Sequence, residues 1–258
     1  MSTIRPAFGL AFLGAMLLAT AAIPAPAGRE VTSIWDIQTS GRWAEPREVA
    51  KGEPLIELDI VPPGLIEIMD ELPDVPLRQG DLLYRLSAQS GTVYCTVDGQ
   101  PMIANENKFG HTILICLVDN DGDGTFEGHF RRRAAAGVPL IFGEVPARLQ
   151  PVPAIRYEQR PPSSVAGAFK LRILLDSDPA KAKQLKFTYS AGDPKGEVAN
   201  TMKLAAVTEV PNRNYPQSFE ILGGVFELTG VNGGKAVVRM VAPTSDYPFM
   251  VEPGTVKL

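Results

Sequence analysis

The chain has 258 residues, 45% of them hydrophobic and 21% charged, with a formal net charge of −4. That length suits one large or two small domains, and the apolar share is enough for a packed core. The mild acidity gives no electrostatic footprint for nucleic acid, so no nucleic-acid partner is expected.

Residues 1–27 read as a secretory signal. A short start with one charge, Arg5, leads into an apolar stretch from Ala7 to about Ile23. Pro24-Ala25-Pro26-Ala27 follows, and small residues at Ala25 and Ala27 place a cut before Gly28. An uncleaved anchor is the alternative, but the run is short for a span and prolines close it. No cysteine lies near the cut, which excludes a lipid anchor there. The removed segment carries one Arg and no acid, so cleavage moves the net charge from −4 to −5. No other apolar run reaches spanning length, so no membrane span is expected afterwards. The expected location is a periplasm or the extracellular space.

Residues 28–51 hold both tryptophans, Trp35 and Trp43, and read as an N-terminal extended segment. Beyond them the chain reads as mainly β, antiparallel and sandwich-like. Ile56, Leu58 and Ile60 alternate with Glu57 and Asp59. Leu82, Tyr84 and Leu86 share a face, as do Phe169, Leu171 and Ile173, and Leu185, Phe187 and Tyr189. Such period-two alternation marks half-buried strands. Asn232-Gly233 between two apolar runs predicts a hairpin turn at that pair. Helices are left open over residues 64–72 and 131–136. A Pro-rich stretch, residues 146–162, reads as a linker or an edge segment. It divides the chain into a β domain over residues 52–150 and a C-terminal β domain over residues 151–258. One continuous sandwich is the alternative.

Two cysteines, Cys95 and Cys116, give an even count in an exported chain, which predicts a disulfide. Strand alternation puts Val93, Cys95 and Val97 on one face, and Leu114, Cys116 and Val118 on another. Both thiols then point into apolar surroundings where neighbouring strands can join them. Two separate buried thiols are the alternative.

The sharpest motif is Asp119-Asn120-Asp121-Gly122-Asp123-Gly124-Thr125-Phe126-Glu127. Calcium takes six to eight oxygen ligands, and carboxylates on alternate residues of a tight loop can converge on one centre. The pattern resembles EF-hand-like calcium loops with a D-x-D-x-D-G core. That resemblance implies Asp119, Asp121 and Asp123 as side-chain ligands, the Thr125 carbonyl as a fourth, and Glu127 as a direct or water-mediated ligand. The implied cofactor is a structural Ca2+. The likeness ends at the loop. An EF-hand carries a bidentate Glu at the twelfth position, where this chain has Phe130, and the segment before Asp119 is strand-patterned. A strand–loop–strand site is the expectation. A plain polar turn, or magnesium in place of calcium, are the alternatives. Arg131-Arg132-Arg133 reads as local charge balance for this loop, or as an exposed anion patch.

No catalytic constellation stands out. His111 and His129 fit no zinc spacing, and no G-x-S-x-G elbow is present. Glu57, Asp59, Glu67, Asp70 and Glu71 are acids whose pairing would be spatial and leaves no mark in sequence. Residues 230–235 lack the glycine spacing of a phosphate loop. The leading reading is an exported, calcium-stabilised β protein with a binding or structural role in the cell envelope or outside the cell. The class of partner considered is a protein or glycan at the envelope. A secreted carbohydrate-active hydrolase and a surface assembly subunit or adhesin are the alternatives.

Overall fold

The computed structural model describes residues 29–38, 43, 45–72, 74–98, 100–101, 111–135, 141–192, 201–246, 248–252 and 255–257. The signal expected over residues 1–27 lies outside these. Among the described residues the period-two segments form three sheets, and every strand pair in them is antiparallel.

The first sheet runs β10 (Gly128–Ala135), β9 (His111–Asp119), β7 (Thr92–Thr96), β6 (Leu82–Ala88), β1 (Glu30–Thr32) and β11 (Phe142–Glu144). Two strands, β5 (Leu65–Ile68) and β12 (Tyr157–Arg160), extend it beside β6, and β8 (Gln100–Pro101) pairs with β9. The second runs β15 (Thr201–Pro211), β14 (Gln184–Gly192), β13 (Lys170–Leu175), β4 (Pro54–Val61), β2 (Ile34–Gln38), β19 (Pro248–Glu252) and β20 (Thr255–Lys257). The third runs β16 (Gln217–Ile221), β17 (Gly224–Asn232), β18 (Lys235–Ala242) and β3 (Arg47–Val49). Strands on either side of Pro151 pair with one another: β4 with β13, β2 with β19, and β3 with β18.

All three sheets contribute to one core. Trp35 stacks on Tyr84 with ring centroids 5.4 Å apart and meets Phe169 edge-on at 5.2 Å. Phe187, Phe219 and Phe226 stack in series at 5.1 and 5.6 Å. Trp43 is buried against Phe226, with the Arg47 guanidinium 4.0 Å from its ring centroid. Both tryptophans therefore serve packing, where large rings remove the most apolar area from water.

The first sheet is covered on both faces. Tyr84, Leu86, Val93, Cys95, Val97, Leu114, Cys116 and Val118 face the main core. Ile66, Ile68, Leu83, Ile115 and Leu117 face a second cluster, which Leu72, Val75, Leu77 and Phe126 complete and Val152, Ile155 and Tyr157 cover. Burial on two faces explains why residues 113–118 read as a continuous apolar run. The Pro-rich stretch thus supplies both a covering layer and the edge strand β12, which pairs with β5.

Two segments where a helix was left open form strands instead. Within residues 64–72 the chain forms β5, because Leu65 faces one core while Ile66 and Ile68 face the other. A helix cannot serve two opposite layers at that spacing. Residues 131–135 continue β10, paired residue by residue with β9; Ala136 lies outside the described residues. The hairpin between β17 and β18 forms as expected, but its turn is one residue later. Asn232 pairs with Lys235, and Gly233 and Gly234 adopt φ of 55° and 81°. Positive φ at both central residues gives a turn whose twist matches that of the flanking strands.

Cys95 and Cys116 lie opposite each other in the β7–β9 ladder and are joined by a disulfide, with Cα atoms 4.0 Å apart. A closed loop of that size contributes about 3 kcal/mol by the chain-entropy account. Among the described residues no helix is long and apolar enough to cross a membrane.

Candidate metal centre

The acidic motif is the connection between β9 and β10. Asp119 ends β9 opposite Thr92, and Gly128 opens β10 opposite Val118. The Glu127 amide donates to the Val118 carbonyl at 3.0 Å and closes the loop at its base. Gly122 and Gly124 adopt φ of 78° and 88°, a region that costs other residues strain. The loop uses both of these positions to coil.

Asp119, Asp121, Asp123 and Glu127 each offer an oxygen, and these four atoms lie within 4.8 Å of one another. Asp119 is buried at 5% exposure, and the other three are open to solvent. The carboxylates are held by loop amides. Asp119 Oδ1 accepts from Gly122 N at 2.7 Å and Oδ2 from Gly124 N at 3.1 Å. Asp121 accepts from Asp123 N at 3.2 Å, Asp123 from Thr125 N at 2.7 Å, and Glu127 from Asn120 N at 2.6 Å. The loop therefore presents clustered carboxylate oxygens in positions its own backbone sets. Such an all-oxygen group could hold a hard metal ion.

Packing anchors both ends of the loop. Phe126 is buried in the second cluster, 6.1 Å from the Tyr94 ring and 5.3 Å from Tyr157. A Cβ at Gly128 would come within 2.6 Å of Leu149 Cβ, so the exit strand lies hard against the following segment. On the entry side the disulfide at Cys116 lies three residues before Asp119.

The arginines expected to balance the loop lie elsewhere. Arg131, Arg132 and Arg133 pair with Ile115, Leu114 and Ile113, progressively farther up the ladder from the loop. Arg132 Nη1 donates to the Glu144 carbonyl at 3.1 Å. One cation beside the cluster is Arg29, distant in sequence. It is buried at 4% exposure, and Nη1 donates to the Ser90 carbonyl at 2.7 Å. Burial pushes its guanidinium below the usual arginine range, and the nearby charges of Glu127 and Asp119 oppose that shift. No local spacing could have revealed Arg29, because the contact spans the fold.

His129 is buried one residue into β10, in a two-way backbone bridge with Gln150 at 2.8 and 2.9 Å. Burial and the neighbouring charge of Arg131 lower its pKa, against hydrogen bonds at Gln150 and Pro151 that raise it. The side chain of His111 lies outside the described residues.

Four of the other sequence-singled acids are held in ion pairs. Arg172 Nε meets Glu57 at 2.6 Å and Lys170 meets Asp59 at 2.5 Å, each directly across the β13–β4 ladder. Arg160 meets Glu67, and Arg156 meets Asp70, both at 2.6 Å. Glu71 is exposed. Lys170 also lies 3.9 Å from Glu57, so Glu57 and Asp59 share one cation on the β13–β4 ladder.

Comparison with protein-family models, with curated proteins and with solved structures finds no match for this chain.

Proposed function

We propose that this is an exported protein that binds Ca2+ in the loop between β9 and β10, and that the ion works structurally. Asp119, Asp121, Asp123 and Glu127 supply carboxylate oxygens, and the Thr125 carbonyl supplies another. The observation that carries this reading is the gathering of four carboxylate oxygens within 4.8 Å. Opposite ligands on calcium stand at about twice its 2.3–2.6 Å bond length, and magnesium draws its ligands closer and demands stricter octahedral geometry. Three of the four acids face solvent, which gives an ion open access. The missing bidentate glutamate puts the affinity at the weak, extracellular end, on the order of 10⁻⁴–10⁻³ M.

The ion clamps the loop against the disulfide-tied end of the first sheet. That suits a protein working in the cell envelope or outside the cell, where millimolar calcium and an oxidising environment coexist. Its role there is binding or structural. The apolar segment over residues 1–27 and the disulfide support export.

The test is calorimetric titration of the chelator-stripped, oxidised protein with calcium, beside Asp121→Ala/Asp123→Ala. A saturable signal that the double variant loses is expected, with a rise in Tm on adding calcium. No heat up to millimolar calcium, and no change in Tm or protease resistance, would reduce the loop to a polar turn.

A further inference from the structure

Arg29 is a buried cation whose donors are only partly used. Nη1 is bound to the Ser90 carbonyl, and Nε and Nη2 are buried with no hydrogen-bond partner among the described residues. Buried polar groups are nearly always paired, and a guanidinium left short is costly, so its position calls for a reason. The Ser90-Gly91 turn supplies the geometry. A Cβ built on Gly91 would lie 2.3 Å from the Asp119 carbonyl, 2.7 Å from the Asn120 carbonyl and 2.9 Å from Arg29 Nη1. One small volume therefore touches both the guanidinium and the first two residues of the acidic loop.

We propose that Arg29 sets the ion affinity of the acidic loop: it is a fixed internal cation that partly neutralises the carboxylates when no metal is bound and opposes the metal when one enters. This rests on the reading of the loop as a metal site. The charge carried by the ligand set is what tunes calcium affinity, and a neighbouring cation subtracts from it. A free surface arginine would swing away from an incoming dication. Arg29 cannot, because its side chain is buried and held at Ser90, and its carbonyl accepts from Val145 N at 2.9 Å. The following strand, β1, is paired on both sides, with β6 and β11. The repulsion of an entering dication is therefore built into the fold, from a cation placed beside Asp119 and Glu127, the two ends of the loop.

The experiment compares calcium binding by calorimetry in the wild type, Arg29→Gln and Arg29→Lys. Removing the charge tightens binding about tenfold, the scale of one charge acting near a partly solvated dication. Arg29→Lys keeps the charge and stays within a few-fold of the wild type. In the wild type, the ¹⁵Nε signal of Arg29 shifts on calcium addition with the same midpoint as the heat. An unchanged or weaker affinity in folded Arg29→Gln overturns the proposal. Should that variant fail to fold, a wild-type ¹⁵Nε signal that is unmoved at calcium saturation overturns it instead. Binding seen only in Arg29→Gln supports the proposal, since the cation then suppresses the site. Binding in neither protein removes the metal reading and this inference together. Wild-type binding with an indifferent Arg29 removes this inference alone.

Discussion

Gly91 and Asp119 approach so closely that a Cβ on the glycine would sit 2.3 Å from the aspartate carbonyl. The glycine also adopts φ of 64°. Two independent constraints, backbone sign and backbone contact, thus fall on one residue packed against the start of the acidic loop. Gly91→Ala should lower stability by about 2–4 kcal/mol, from positive-φ strain and overpacking against backbone that cannot yield. Denaturant melts measure the loss. A variant as stable as the wild type would show that the turn relaxes freely and that the loop entrance is not fixed from this side.

Phe126 is the one large apolar side chain inside the acidic motif, and it is buried against Tyr94 and Tyr157. Phe126→Ala should cost about 3–5 kcal/mol through a cavity beneath the loop. It should also weaken the calcium response, because Glu127 then loses its rigid neighbour. Stability and calcium titration on the same preparation separate the two effects. Lost stability with an unchanged calcium midpoint would mean that the loop holds its shape without this anchor.

Two buried tyrosines predict how the protein meets alkali. Burial raises the pKa of Tyr84 far above its usual value, against a hydrogen bond with Ser33 that lowers it. Burial alone pushes Tyr189 up to about 12. Both phenols are thus favoured neutral in the folded protein. Above the unfolded value of about 10 the unfolded chain binds fewer protons than the folded one, so stability falls as pH rises from there. Phenolate absorbance should appear for these two rings only together with loss of near-ultraviolet circular dichroism. Tyr189→Phe should flatten part of the slope. Free ionisation at about pH 10 with the fold intact would show that water reaches the rings.

Much of the local structure could be read from neighbouring residues. The alternation of Phe169, Leu171 and Ile173 with Lys170 and Arg172 places β13 directly, since a strand's two faces are set by a period of two. The faces of Cys95 and Cys116 followed by the same rule, and so did their disulfide. The spacing of Asp119, Asp121, Asp123 and Glu127 was legible because a tight loop gathers residues close in sequence. The run around Leu65, Ile66 and Ile68 was not, because apolar side chains on two faces of one strand blur the period that would separate strand from helix.

Local order thus determined the strands, the cysteine faces and the acidic loop, since each depends on residues within one turn or ladder rung. The tertiary structure alone decided which strands pair across Pro151, which segment covers the second face of the first sheet, and that Arg29 stands beside a loop some ninety residues away. Those outcomes depend on which surfaces exclude water together and where a buried charge can be tolerated, and no local spacing in the chain records that.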